Sequence, residues 1–515
     1  MLLRTSLAFV AGVVLSLAFE PVAIAYLMPF AVAAFALTTR GLRARSGWVP
    51  GLAFGIGFYF VHIYWMSSAV AVGAWIGTAA VSASFYGLAG SASAVLQRVR
   101  AWPVLVPAAW TAVEGLRSGW PFSGMPWGRL AFGAMDTPAA DAVAYVGSTG
   151  LSFVLATIGC LLAWVVVESG RTRMLAGGAL LAVCAITALP ALAPYSLEQS
   201  GTATVAAVQG DVPGRGNDVL LDFRQVTANH VEATIELADD VASGRAPQPD
   251  FVLWPENSTA IDPFRDGSTN GAIQTAAEAV GVPILVGAIV DAGPDNVLNQ
   301  GIVWDPVTGA GDRYTKWHPV VFGEYIPFRR YLDGATDQLD RIPRDMLSGD
   351  REEPIRIGGI EVADAICFDV AYDDGIYAQV RNGAEMLTVQ TSNAIFIFTD
   401  QIDQQFAMTR LRAIETGRWL VAASPNGISG VVAPDGSVVA TADPRTRAVL
   451  VEEVALMNGI TPAVWLGAWP ARLFTVVTLL GLAACMVPYR RRGDSTRRAA
   501  REPDADSQPV ERQLA

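Results

Sequence analysis

Val362-Ala363-Asp364-Ala365-Ile366-Cys367-Phe368-Asp369 is an apolar, strand-like run that ends on a thiol. The surrounding block is rich in charge, and Cys367 is its only cysteine. Cys160, Cys184 and Cys485 fall in long apolar stretches elsewhere, so Cys367 has no soluble disulfide partner. A lone thiol at a strand end is a candidate nucleophile, although taken by itself it is more often a small buried hydrophobe.

Outward from that run, residues 198–460 alternate short apolar segments with helical patterns, as an α/β domain does. Strand-like pieces are Thr202–Val208, Phe251–Trp254, Pro283–Val290, Gly301–Trp304, Glu361–Cys367, Glu385–Gln390, Trp419–Ala423 and Ala448–Val454. Apolar residues recur at helical spacing within Val219–Gly244 and Asp400–Gly417. Pro434-Asp435-Gly436 marks a hairpin within Gly430–Ala442, because Asp-Gly tolerates the positive φ angles of a tight turn.

The flanks are of another kind. A chain of 515 residues that is 52% apolar and 16% charged is too apolar for one large soluble enzyme and too long for one domain. Runs of roughly spanning length occur near 5–19, 22–39, 47–66, 71–96, 102–118, 146–168, 174–194 and 466–488. The expected organisation is a helical membrane bundle of eight spans: seven within residues 1–197 and the eighth within 461–489, after the 198–460 domain. Residues 490–515 have little to bury and read as a disordered cytoplasmic tail. The net charge of −12 belongs to the soluble block and argues against a nucleic-acid partner.

Basic residues follow every second span: Arg40, Arg43 and Arg45, then Arg98 and Arg100, then Arg171 and Arg173, then Arg490, Arg491 and Arg492. Short basic loops stay in the cytoplasm, which puts the amino terminus inside and the soluble block outside. Within span five, Glu114 reads either as a functional intramembrane charge or as an interfacial partner of Arg117. Trp102, Trp110, Trp120 and Trp127 read as an interfacial aromatic belt.

Three strand ends in the soluble block carry ionisable groups: Glu256 closes Phe251-Val252-Leu253-Trp254-Pro255-Glu256, Lys316 follows the Gly301–Trp304 strand within Asp312-Arg313-Tyr314-Thr315-Lys316-Trp317-His318-Pro319, and Cys367 closes the third. Ligands of open α/β sheets gather outside the carboxyl ends of strands. A carboxylate, an ammonium and a thiol there suffice for acyl transfer through a base, an oxyanion-stabilising cation and a nucleophile. His318 beside Lys316 has no second ligand at metal spacing and reads as structural.

These three motifs resemble the Glu-Lys-Cys set of the nitrilase superfamily, whose fold is a four-layer α-β-β-α sandwich. With Val321-Phe322-Gly323-Glu324-Tyr325-Ile326-Pro327, Ala207-Val208-Gln209-Gly210-Asp211-Val212-Pro213, Thr391-Ser392-Asn393-Ala394, Met408-Thr409-Arg410-Leu411-Arg412-Ala413-Ile414-Glu415, Pro425-Asn426-Gly427-Ile428-Ser429, Gly124-Met125-Pro126-Trp127 and the preceding spans, the chain resembles the membrane-embedded branch, the apolipoprotein N-acyltransferases. The resemblance implies Glu256 as base, Lys316 as oxyanion-stabilising cation, Cys367 as the nucleophile that becomes a thioester, and Glu324 as a further acidic residue. It places Phe368 where Tyr is common and Asp369 where Glu is common, with the Phe368 N–H as a second oxyanion donor. An aromatic expected soon after Gln209-Gly210 is missing at Gly214-Arg215-Gly216-Asn217-Asp218.

What the resemblance implies in function is a bacterial inner-membrane enzyme, monomeric and without metal or organic cofactor, with its catalytic domain on the outer side. It takes an acyl chain from a phospholipid and passes it to the α-amino group of a diacylglyceryl-modified apolipoprotein. Two other readings use the same residues: a membrane-tethered nitrilase-type amidase with water as acceptor, and a non-catalytic receptor or transporter with a relic domain. The charge pattern makes a prediction of its own. A reporter active only outside the cytoplasm works when fused after Ser200 and fails when fused after Arg45 or Arg492, because basic loops stay inside; the opposite pattern would put the domain in the cytoplasm.

Overall fold

A computed structural model describes residues 1–219, 222–332 and 342–486, so the tail at 490–515 lies outside the described residues. Each of the eight apolar runs is helical, at Leu2–Ser16, Ala25–Thr39, Ala44–His62, Val72–Leu96, Trp102–Gly119, Ala140–Val167, Gly170–Leu192 and Trp469–Met486. Three of these, Val72–Leu96, Ala140–Val167 and Gly170–Leu192, are long and apolar enough to cross a membrane by length and composition. The expected count of eight is therefore not met on that measure, and the physical reason differs between helices. Leu2–Ser16 has 15 residues. At about 1.5 Å per residue it reaches about 22 Å, against a hydrocarbon core of about 30 Å. Ala44–His62 and Trp102–Gly119 have the length, but Arg45, Pro50 and His62 in one, and Glu114 and Arg117 in the other, dilute their apolar character.

Small residues let these helices approach closely. Gly47, Gly51 and Gly55 recur every four residues on the Ala44–His62 helix and face Ala83, Gly87 and Gly90 of Val72–Leu96. A Cβ added at Gly51 would lie 2.3 Å from the Tyr86 carbonyl oxygen, so no other residue fits without parting the helices. The expected tryptophan belt is corrected here. Trp102, Trp110 and Trp127 are buried and only Trp120 is exposed, because Trp110 packs edge-on against Phe35, Phe54 and Tyr86 inside the bundle. Glu114 accepts the Leu130 N–H at 3.0 Å, while Arg117 turns to the carbonyls of Met125 and Trp127 and the face of Tyr59.

The soluble block has thirteen strands among the described residues: β1 (Glu198–Gln209), β2 (Phe251–Leu253), β3 (Ile284–Asp291), β4 (Asn296–Asp305), β5 (Gly309–Thr315), β6 (Asp345–Met346), β7 (Ile355–Ile357), β8 (Ile360–Ile366), β9 (Met386–Gln390), β10 (Leu420–Ala423), β11 (Gly430–Val432), β12 (Val438–Thr441) and β13 (Ala448–Asn458). They form two sheets, ordered β13-β1-β2-β3-β4-β5 with β6 on β4, and β12-β11-β10-β9-β8-β7. The expected hairpin is β11–β12, closed by Pro434-Asp435-Gly436.

Strand alternation divides the apolar residues into two layers. Val205, Phe251, Leu253, Leu285, Val362, Ile366 and Val421 meet between the sheets. Ala206, Val208, Val252 and Trp254 face outward onto the helices Phe223–Ala242 and Gly267–Val280. Ala363, Ala365, Leu387 and Val389 face the other way, onto the helices Asp374–Arg381 and Gln401–Thr416, and their core runs without a break into the helical bundle. The layers are thus helix, sheet, sheet, helix, with the bundle stacked on the last.

Polar contacts fix that junction. Asp373 binds Arg129 at 2.7 Å and Arg412 at 2.9 Å, and Glu415 accepts the Ser148 N–H at 2.6 Å and its hydroxyl at 2.8 Å. β1 and β13 pair antiparallel with Glu198 opposite Asn458, so the chain enters and leaves the domain side by side. It then returns to the bundle in Trp469–Met486, where Phe474 stacks on Phe153 at 4.3 Å.

The glycine seam gives a test. Gly51→Val forces a side chain into the Tyr86 backbone and lowers stability by at least about 1–3 kcal/mol, read as a lower midpoint of thermal unfolding in detergent. An unchanged midpoint would mean that the two helices do not pack at this seam.

Candidate active site

Glu256 follows β2 on a turn whose next residue, Asn257, has φ 57°, a left-handed conformation that Asn tolerates. That turn passes directly over β3. A Cβ at Gly287 would lie 2.1 Å from the Pro255 carbonyl oxygen, which is why a glycine interrupts an otherwise apolar run of the strand. The Glu256 carboxylate is buried and fully engaged. Oε1 accepts from Asn299 Nδ2 at 2.7 Å and Lys316 Nζ at 3.2 Å, and Oε2 accepts from the Ser392 N–H at 2.7 Å.

Lys316 ends the β5 run and has no exposed surface. Its ammonium donates to Glu324 Oε1 at 2.6 Å as well as to Glu256, and Glu324 Oε2 accepts the Val320 N–H at 2.8 Å. Burial opposes the ammonium charge, but Glu256 and then Glu324 hold its pKa well above the ordinary value. Burial pushes the Glu324 carboxyl up, with the Lys316 charge working against that shift.

Cys367 stands at the end of β8, where the chain turns into the short helix Cys367–Ala371. Its φ of 54° is left-handed, an uncommon state for a residue other than glycine and one that collects at functional sites. Gln405 Nε2 donates to its carbonyl at 3.1 Å, and the thiol hydrogen-bonds with Thr391. Burial, with Glu256 and Glu324 acting in the same direction and Lys316 and the Thr391 hydrogen bond opposing them, pushes the thiol up to about 12. The three groups expected from the sequence therefore act on one another electrostatically at one place. The resting form is the thiol; a thiolate arises only as its proton leaves.

Asp369 accepts from the Tyr314 hydroxyl at 2.9 Å and the His318 N–H at 2.8 Å, so the shorter carboxylate is still fully used. Against the effect of burial, the hydrogen bond and charge of His318 hold it below the usual carboxylate range. Phe368 is buried, with its ring stacked on Trp127 at 5.9 Å and 17°. His318 stacks on Tyr372 at 3.7 Å, and its Nδ1 and Nε2 lie 3.3 Å from Asp369 and Asp374. Those hydrogen bonds outweigh burial and raise it to about 9, in keeping with a structural ion pair.

Asn299 contacts Glu256, Thr391 the Cys367 thiol and Gln405 the Cys367 carbonyl, and none of the three is among the site residues expected from the sequence. Thr391 carried a signal, since it opens the Thr391-Ser392-Asn393-Ala394 motif. Asn299 and Gln405 carried none, because a polar residue within a strand or a helix says nothing of what the fold brings opposite it. The loops beside the site are apolar at their surface: Phe122 and Phe328, both exposed, meet at 5.8 Å.

Two family models match this chain: the apolipoprotein N-acyltransferase N-terminal domain over residues 11–161, and carbon-nitrogen hydrolase over residues 204–459. An apolipoprotein N-acyltransferase of Mycolicibacterium smegmatis is 33% identical, over 90% of this chain and 81% of its own. Proteins of the same name from Methylococcus capsulatus and Azotobacter vinelandii are 26% and 28% identical, over 95% and 98% of this chain and 97% of each of theirs. Among solved structures, a mutant of the Nesterenkonia AN1 amidase from the nitrilase superfamily aligns over 52% of this chain and 95% of its own, at 16% identity and a TM-score of 0.38.

The His318 ion pair implies a pH dependence. A folded-state pKa of about 9, above the ordinary 6.5, means the contact stabilises the fold fully below pH 6.5 and is lost as pH rises through 9. Stability therefore falls between pH 6.5 and 9 by an amount on the order of 3 kcal/mol, read as a falling thermal midpoint, and His318→Gln flattens that fall. An equal slope in the variant would show that His318 is not the group responsible.

Proposed function

The chain belongs to the apolipoprotein N-acyltransferase family, and from the site it carries we propose that Cys367 relays an acyl chain from a phospholipid to the α-amino group of a diacylglyceryl-modified apolipoprotein. The observation that carries this reading is the meeting of Glu256, Lys316 and Cys367, from strand ends of both sheets, around one buried cluster of charge. Each has a role set by its chemistry. Glu256 takes the Sγ proton as sulfur attacks the ester carbonyl, and the buried Lys316 ammonium faces the negative charge that develops on the carbonyl oxygen. The ester C–O bond then breaks, the lysophospholipid alcohol leaves with the proton, and a thioester remains on Cys367.

In the second half the amine attacks the thioester, an amide forms, and the thiol is restored with the proton that Glu256 takes from the attacking nitrogen. One site serves both halves, which makes the kinetics ping-pong. Glu324 keeps Lys316 in place from the opposite side, so that Glu256 need not bear the whole of its charge.

The eight helices support an eight-span membrane bundle in which neighbours carry the shorter ones. Leu181, Ile186, Leu479 and Leu480 are exposed apolar side chains on the bundle's outer face, the surface that lipid would cover. The loop pattern of basic residues supports an outward-facing catalytic domain in the cytoplasmic membrane. Phe122 and Phe328 at the loops support entry of the acyl donor from the lipid side. A bundle packed onto the catalytic domain makes sense where both substrates are held in the bilayer and their reacting carbonyl and amine lie near its surface.

Mass spectrometry of lipoprotein amino termini tests the reading. Cys367→Ala abolishes both the acyl-enzyme and the amide while the protein stays folded, and transfer persisting in that variant would overturn the mechanism. Glu256→Gln and Lys316→Met each slow thioester formation by about 100-fold or more. Release of free fatty acid in place of amide would favour a hydrolase.

A further inference from the structure

Gln404 and Gln405 are successive buried residues on the Gln401–Thr416 helix, about 100° apart around its axis. They therefore point at different parts of the molecule. Gln405 reaches the nucleophile: its Nε2 donates to the Cys367 carbonyl at 3.1 Å and to Thr391 Oγ1 at 3.0 Å, and its Oε1 accepts from Asn393 at 2.8 Å and Gln401 at 2.9 Å.

Gln404 reaches the bundle. Its Oε1 accepts from the indoles of Trp65 at 3.1 Å and Trp127 at 2.7 Å, and its Nε2 donates to the carbonyls of Glu20 at 3.1 Å and His62 at 3.2 Å. Indole N–H groups only donate and carbonyls only accept, so a single orientation of the amide satisfies all four. Glu20, His62, Trp65 and Trp127 belong to the segments that follow the Leu2–Ser16, Ala44–His62 and Trp102–Gly119 helices or end them. One amide thus ties together three parts of the bundle that are distant in sequence.

The two glutamines converge again at the site. Trp127, held by Gln404, stacks on Phe368, the residue after the nucleophile, while Gln405 holds the carbonyl of Cys367 itself. Cys367 sits at φ 54°, a conformation that a residue other than glycine keeps only where its surroundings enforce it. We propose that Gln404 is a positioning residue of acyl transfer, through which the helical bundle holds the Cys367 turn in its reactive conformation. The inference rests on Cys367 being the nucleophile. Gln404 touches no reacting atom; it acts through Trp127 and Phe368 on one side and through the shared helix and Gln405 on the other.

Gln404→Leu keeps a branched side chain, one atom shorter, and removes all four bonds. In the full-length protein, with a phospholipid donor, acyl-Cys367 formation per folded enzyme falls about tenfold while the donor KM stays within about twofold, because orientation and not binding is lost. Trp127→Phe removes one donor and keeps a ring over Phe368, and it slows the same step by about threefold. The double variant is no slower than Gln404→Leu alone, as for two members of one chain of contacts. A parental rate in Gln404→Leu, or additive losses in the double variant, would overturn the proposal. If Gln404→Leu does not fold, a parental rate in Trp127→Phe alone overturns it. Transfer persisting in Cys367→Ala is a separate result and would strike the nucleophile assignment instead.

Discussion

An ammonium with no exposed surface is the constraint on which the catalytic domain turns. Burying a lone charge is costly enough that it must be neutralised where it lies, and Lys316 is flanked by Glu256 and Glu324 for that reason. Burial first, and then the two carboxylates around that ammonium, disfavour another anion, and so the Cys367 thiol beside them keeps its proton at rest. The same requirement governs the fold around the cluster: β2 and β5 of one sheet and β8 of the other must end at one point, and Gly287 must lack a side chain so that the Glu256 turn can cross its strand.

Much of that arrangement could be read before any coordinates. The runs that end in Glu256 and Cys367 are apolar and alternate, so the polar residue closing each stands out as a strand end. β5 was invisible because it is an edge strand of Gly, Ala, Asp and Arg whose one well-buried side chain is Tyr314. The helices Gly267–Val280 and Asp374–Arg381 escaped notice for a related reason: the first is built of small residues and the second is only two turns long. Asn299 owes its position to the strand order of the first sheet, where one strand, β3, separates β4 from β2, and Gln405 to a helix packed over a strand end; neither leaves a local pattern.

The apolar runs coincide with helices, but which way their tryptophans face did not follow from the sequence. Tryptophans spaced along a helix and the loop after it look alike whether they face lipid headgroups or the bundle, and Trp110 is buried edge-on among Phe35, Phe54 and Tyr86. Asp373, shared by Arg129 of the bundle and Arg412 of the domain, was equally silent. Two guanidiniums on one carboxylate hold it far into its charged form. Such a cluster, together with an unbroken apolar core, makes the two parts one body and leaves no hinge between them.

The side-by-side entry and exit of β1 and β13 has a consequence in time. The last helix, Trp469–Met486, cannot stack Phe474 on Phe153 until the whole domain has been made. At ordinary rates of synthesis, residues 198–460 occupy the ribosome for roughly 15–50 s. During that interval the face of the bundle that Trp469–Met486 will cover is bare, and the strand that closes the first sheet's edge, β13, is missing. The nascent chain therefore waits as an open half-structure, and its closing step comes from β13 and Trp469–Met486.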